Sequence, residues 1–195
     1  MDGLYIAKIA PYMFPALWVL WLLYWRIQAR GTKSNAWRES TPSRLMHVVP
    51  TAVAALLLVL PTASVPVLNR RWLPWSFAVF WVGWLFAAAG LLFTVWARRH
   101  LASNWSADVT LKADHELITS GPYALVRHPI YTGLLMGFVG SALALGEWRG
   151  LIAVAIMILT LWRKLRVEER RMRQLFGAAY QNYQGRVSAL IPFVF

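Results

Sequence analysis

Five stretches of this chain are apolar enough to be candidate membrane-spanning helices, and they set the terms for everything else. They run from about Ile9 to Tyr24, Leu45 to Leu68, Trp75 to Ala97, Pro129 to Leu145, and from Gly150 to about Trp162. A helix needs roughly 20 mainly apolar residues to cross the ~30 Å hydrocarbon core of a bilayer. The third run is the cleanest, and the second is interrupted by Pro50, Pro61 and Pro66. Only Gly146-Glu147-Trp148-Arg149 separates the last two, room for nothing but a tight helical hairpin. Composition agrees: 58% of the 195 residues are hydrophobic and 14% are charged, against about 25% charged in soluble domains. The expected fold is an all-α integral membrane protein with five transmembrane helices.

The basic residues give the orientation. With the N-terminus outside, sixteen of the twenty Lys and Arg fall in cytoplasmic segments, leaving only Lys8, Arg70, Arg71 and Arg149 outside. That asymmetry is the positive-inside signature. It also accounts for the net charge of +12 through topology and anionic headgroups rather than nucleic acid. No cleavable signal stands out ahead of the first run, which reads as a retained span. The chain has no Cys, which excludes disulfides and thiolate metal sites. No His and acid pair shows metal-ligand spacing, so no metal is expected. The Trp residues at 18, 21, 25, 72, 75, 81, 84 and 96 read mostly as interfacial belt and lipid-facing packing. His47 and His100 read as ordinary polar residues at interfaces.

Two cytoplasmic stretches carry more chemistry than connectors need. From His115 to Gly133 the chain is dense in turn formers, aromatics and hydrogen-bonding groups, with Pro129 suited to the first turn of a helix. From Arg163 to Glu169 the fifth helix leaves the membrane. No Pro or Gly interrupts Leu151 to Phe176, so one continuous helix is predicted, ending at Gly177. Lys164 and Glu168 share a face of it, and Glu169 is turned from Glu168 by about 100°. A short helix over 178–186 should carry Tyr180 and Tyr183 on one side, with Ile191-Pro192-Phe193 folding back on the bundle. Each feature has a plain alternative. Arg127-His128-Pro129 would serve as a headgroup-anchored helix start, His115 as a loop residue, Glu168 as a partner of Lys164 or Arg171, and Glu169 as a partner of Arg166 or Arg173.

In order, the residues His115-x-Leu117-Ile118-Thr119-x-Gly121-x-Tyr123, Arg127-His128-Pro129-x-Tyr131-x-Gly133, Glu168-Glu169, Phe176-Gly177-x-x-Tyr180-x-x-Tyr183 and Arg186-Val187…Pro192 resemble the isoprenylcysteine carboxyl methyltransferase family and its phospholipid methyltransferase relatives. The likeness covers about the last half of the chain and suggests a short, prokaryotic-type member in a cell membrane. It implies one membrane methyltransferase domain over 1–195, with three N-terminal spans in 1–97 and a cofactor-binding half in 98–195. The pocket would open to the cytoplasm between the loop before the fourth helix and the extended end of the fifth. The implied cofactor is S-adenosylmethionine. His115, Glu116, Leu117 and Ile118 would line it, Tyr123 and His128, Pro129, Ile130 and Tyr131 would enclose its adenosine side, and Glu168 would hold its methionine moiety. Lys164, four residues earlier, would face the substrate where eukaryotic members carry Arg, with Arg163 or Arg166 able to stand in. A Lys cannot form the bidentate fork that Arg offers a carboxylate. The expected acceptor is lipophilic, with an isoprenylcysteine-type carboxylate ahead of a phospholipid amine, an isoprenoid or a thiol. A steroid-reductase-like NADPH oxidoreductase shares the Arg-His-Pro segment and is a more distant alternative, as is a non-catalytic membrane protein.

Overall fold

The computed structural model describes residues 2–28, 35–38, 40–60, 65–102, 110–112 and 117–192. Among the described residues seven helices carry the fold: α1 (Asp2–Gln28), α2 (Thr41–Val59), α3 (Phe77–Leu101), α4 (Pro122–Leu125), α5 (Pro129–Leu145), α6 (Trp148–Phe176) and α7 (Ala178–Gln184). Three short elements lie beside the helices among the described residues. Pro66–Asn69 forms a 3-10 turn, so the second apolar run is a helix that stops at Val59 and a separate short turn. The segments after α1 and α3 also pair as antiparallel strands, β1 (Asn35–Arg38) and β2 (Thr110–Lys112).

Among the described residues, α2 and α3 are the helices long and apolar enough to cross a membrane by themselves, and α5 is a shorter apolar helix. Large apolar side chains stand outward along several helices: Leu20 is 66% exposed, Leu85 59%, Leu92 68% and Leu159 67%. In water such a girdle would aggregate; its natural solvent is lipid.

The centre of the bundle is the α3–α5 contact, where backbone lies against backbone. A Cβ added to Gly83 would come within 2.5 Å of the Gly140 carbonyl, and one on Gly133 within 2.3 Å of the Gly90 carbonyl. Small residues let apolar helices approach this closely, and dispersion forces then hold them together. α1 closes over this pair with its indoles turned inward: Trp18 donates to Ser141 Oγ at 3.1 Å and Trp21 to Thr94 Oγ1 at 2.6 Å. The belt role expected of these two Trp is therefore corrected, because a buried indole N–H needs an acceptor and the bundle supplies it.

The α5–α6 hairpin is as tight as the four-residue gap requires. Gly146 takes the left-handed conformation at φ 63° and ends α5, and α6 begins two residues later. Arg149, buried at this end, donates to the carbonyls of Leu57 and Leu60 at the end of α2, and to Glu147 at 2.7 Å. α6 then runs unbroken to Phe176, capped by Gly177 at φ 50°. At 1.5 Å per residue, Glu168 stands about 30 Å along α6 from Trp148, one hydrocarbon thickness away. The N-terminus of α5 lies at that same end, and the two meet there.

Candidate active site at the meeting of α5 and α6

Pro129 occupies the first turn of α5, as its missing N–H favours. The segment before it needs partners for its free backbone donors, and the C-terminal tail provides them. Arg127 N–H donates to the Ser188 carbonyl at 2.8 Å, His128 N–H to that of Ala189 at 3.0 Å, and Thr132 Oγ1 to that of Leu190 at 2.7 Å. The tail does fold back, but through residues 188–190. Ile191, expected to dock, is 57% exposed, and Phe193 lies outside the described residues. α7 braces the same corner, with Tyr180 and Tyr183 both buried and the Tyr183 hydroxyl donating to the Tyr123 carbonyl at 2.5 Å.

The two acids of α6 part company at this corner. Glu169 turns inward to an 8% exposed side chain and receives Arg127 through Nε at 2.8 Å and the terminal nitrogen at 2.6 Å. Gln184 of α7 donates to its other oxygen at 3.0 Å. Burial by itself would raise the Glu169 carboxyl, but hydrogen bonds from His128 and Arg127 overcome it and hold the pKa at about 2. The partners expected for Glu169, Arg166 and Arg173, were the wrong ones. Arg173 reaches only its backbone carbonyl, because the helix turns this side chain inward, away from its neighbours on α6. Glu168 keeps 26% of its side chain exposed and accepts from the Tyr131 hydroxyl. Burial raises its carboxyl too; the His128 hydrogen bond and the Lys164 charge bring it below its ordinary value.

His128 stands between them. Its Nδ1 lies 3.5 Å from a Glu168 oxygen and its Nε2 3.4 Å from a Glu169 oxygen. Its ring stacks on Tyr131, centroids 5.3 Å apart and planes 3° from parallel. Burial disfavours the charged ring, but the two carboxylates outweigh it and raise the pKa. The Lys164 ammonium stands over the Tyr131 ring, its Nζ 5.4 Å from the centroid. Tyr123 is buried, and burial followed by the Glu168 charge pushes its phenol far up. Leu117, Ile118 and Ile130 are half-buried at this end of the bundle, and Pro129 is buried. His115 and Glu116 lie outside the described residues. Arg163 is engaged elsewhere, donating to the Ser43 carbonyl at 3.2 Å and to Ser43 Oγ at 2.7 Å. It ties α6 to the start of α2.

Three contributors to this corner were missed in the sequence. His100, at the end of α3, meets Ser120 Oγ at 2.9 Å and stacks near Tyr123, and it fills the space a side chain on Gly121 would take. Gln184 and the Arg127 side chain complete the Glu169 pocket. Arg127 sat inside a conspicuous motif; nothing local marked the other two.

The arrangement offers one anionic group with an open edge, a planar aromatic wall and a flanking cation. The model of the family described as phospholipid methyltransferase matches residues 78–179. The chain belongs to that family. It is 37% identical over 84 residues to protein-S-isoprenylcysteine O-methyltransferase B of Arabidopsis thaliana, taking in 41% of each chain. It is 33% identical over 85 residues to the Schizosaccharomyces pombe enzyme (42% of this chain, 35% of that one) and 34% over 134 residues to the Rattus norvegicus enzyme (60% and 46%). The chain thus spans less than half the length of these relatives. Its fold resembles a solved eukaryotic intramembrane Ras methyltransferase, isoprenylcysteine carboxyl methyltransferase, with a TM-score of 0.59 at 22% identity, over 80% of this chain and 54% of that one.

Proposed function

We propose that this family member transfers a methyl group from S-adenosylmethionine to a lipophilic acceptor, with a carboxylate of the isoprenylcysteine type as the leading candidate. The observation that carries the reading is the division of labour between two adjacent acids. Glu169 is saturated by Arg127 and Gln184, whereas Glu168 keeps an open edge beside a stacked aromatic pair. An open carboxylate suits the donor's ammonium, and the stacked His128–Tyr131 pair, with Tyr123 at the same corner, suits a planar base, so the residues fit the cofactor. Leu117, Ile118, Pro129 and Ile130 would complete its enclosure, with His115 and Glu116 on the sequence likeness. When bound, S-adenosylmethionine supplies a methyl group already activated on a sulfonium. The chain's own work is then to position the reactants and exclude water.

For a carboxylate acceptor no base is needed. Lys164 lies one turn before Glu168, toward the apolar part of α6, and its charge would orient an acidic headgroup while the tail stays in lipid. A second reading has its own support: Lys stands where eukaryotic members carry the Arg fork, which weakens the case for a carboxylate and leaves a phospholipid amine in contention. In our reading α1, α2, α3, α5 and α6 are five spans, with the N-terminus outside and the site facing the cytoplasm. Calorimetric titration of detergent-purified protein with S-adenosylmethionine and with NADPH tests the donor, and incorporation of labelled methyl groups into fractionated lipid extracts tests the acceptor. Binding of NADPH alone, or of neither, would refute the proposal.

A further inference from the structure

A single imidazole with a carboxylate oxygen at each ring nitrogen faces a constraint of valence. Neutral imidazole has one N–H, so its second nitrogen would aim a lone pair at an anion; only the imidazolium donates on both sides. His128 is in this position, with Glu168 at 3.5 Å and Glu169 at 3.4 Å. The two ends of the bridge differ. The Glu169 end is fixed by Arg127 and Gln184, while the Glu168 end has one hydroxyl, from Tyr131, and an open edge. We propose that His128 is a positioning residue, a protonated bridge that hangs the Glu168 carboxylate from the Arg127–Glu169 anchor and gives it up in part when a cationic ligand arrives. This rests on the reading of Glu168 as the group that meets the donor's ammonium.

The charged and titratable groups around the ring come from four elements and the loop before α5. They are Arg127 in that loop, Tyr131 on α5, Lys164, Glu168 and Glu169 on α6, Tyr123 on α4, and Tyr180 on α7, whose charges act on the two acids. None of these has an ordinary pKa near neutrality, whereas the His128 ring does. A ligand ammonium at Glu168 competes with the ring's proton for the same carboxylate. Donor affinity should therefore rise with pH as the ring deprotonates, and binding should release a fraction of a proton.

The test uses the full chain in detergent, titrated calorimetrically with S-adenosylhomocysteine, which carries the same ammonium, from pH 5.5 to 8.5. Wild type, Glu168→Gln, His128→Gln and the double variant are compared, and ¹⁵N spectra of the histidine rings are recorded without ligand, the His128 signal being assigned through its contacts to Tyr131. We expect a doubly protonated ring at pH 7 in the free protein. Glu168→Gln should lose affinity about tenfold, the worth of one charge-assisted bond. His128→Gln, which removes the proton that competes with the ligand, should instead bind more tightly than wild type at pH 7 and below. The double variant should bind much like Glu168→Gln, because residues acting through one contact are not additive. The pH dependence should vanish in His128→Gln. A neutral ring at pH 7, a His128→Gln variant that binds like wild type at that pH, or an effect of His128→Gln that persists in the Glu168→Gln background would each overturn the bridge. Absence of binding in wild type would instead overturn the donor reading, and the ring spectra would still decide the bridge.

Discussion

Replacing Glu169 by glutamine removes one charge, keeps the shape of the side chain, and leaves Arg127 buried opposite an amide. The cost follows from the site. A carboxyl whose pKa falls from its ordinary 4.5 to about 2 on folding contributes about 3 kcal/mol at neutral pH. Breaking a buried ion pair from one side independently costs about 3–5 kcal/mol, because the remaining charge is stranded. Arg127 is 11% exposed, and the carbonyls of Gln184 and Val187 that it also reaches offset only part of that. We therefore expect Glu169→Gln to lose about 3 kcal/mol, or about 6–12 °C in Tm on the scaling of domains this size. Glu168→Gln is the matched comparison. Its side chain is 26% exposed, so water relieves the change, and the loss should stay near 1 kcal/mol, the worth of its Tyr131 contact.

The assay is unfolding in detergent, followed by the near-ultraviolet signal of the Trp residues during heating and during titration with a denaturing detergent. Donor binding is measured on the same samples. Two adjacent carboxylates should then separate cleanly: Glu169→Gln melts early, while Glu168→Gln drops only about 2–4 °C in Tm and loses affinity for the donor. Equal Tm losses in both variants, or no loss in Glu169→Gln, would refute the anchor argument.

The same cluster sets a pH window. The raised pKa of His128 contributes stability below its ordinary 6.5 that is lost as pH climbs through the folded value, while the depressed Glu169 contributes above 4.5 and loses it as pH falls toward about 2. Tm should therefore peak between about pH 4.5 and 6.5, and in Glu169→Gln the acid limb should flatten. On the α3–α5 face, Gly140→Ala would put its Cβ 2.3 Å from the Gly83 carbonyl. It should cost about 1–3 kcal/mol, whereas Gly185→Ala, whose nearest neighbour is 3.7 Å away, should be neutral by the same denaturing titration. If the acceptor is a carboxylate, Lys164→Met should raise its KM or lower kcat with donor affinity nearly intact, and Lys164→Arg should match or exceed wild type. For an amine acceptor Lys164→Met should improve turnover. Finally, single Cys residues placed at positions 33 and 170 should resist membrane-impermeant thiol reagents added outside sealed vesicles; strong labelling there would overturn the proposed orientation.

The features written locally in the chain were the legible ones. Hydropathy gave the helices, and Pro129, Gly146 and Gly177 marked where α5 starts, turns into α6, and where α6 ends, since each acts through its own backbone dihedrals or its missing donor. Contacts made across the fold were not. Trp18 and Trp21 have the composition of a belt and the geometry of a core, and hydropathy cannot separate these until Ser141 and Thr94 are known to lie opposite. Gly83 and Gly90 share a seven-residue spacing with Gly133 and Gly140, yet the spacing acquires meaning only once α3 and α5 are neighbours.

The acid pair shows the limit most clearly. Helix geometry requires adjacent side chains to diverge by about 100°, so Glu168 and Glu169 had to meet different surroundings, but the sequence supplies only partners three or four residues away. The decisive partner of Glu169 is Arg127, 42 positions upstream, held at the N-terminus of α5 by a tail that returns from residues 188–190. The inward position goes to Glu169 because it continues the buried stripe of Leu161 and Leu165 at helical spacing. That stripe leaves Glu168 at the edge of the buried face, beside Tyr131 and Lys164, where a carboxylate can be both held and reached. Where an apolar stripe runs into a pair of acids, the acid in register with it is the one expected to find a buried cation, and the acid out of register is the one left for a ligand.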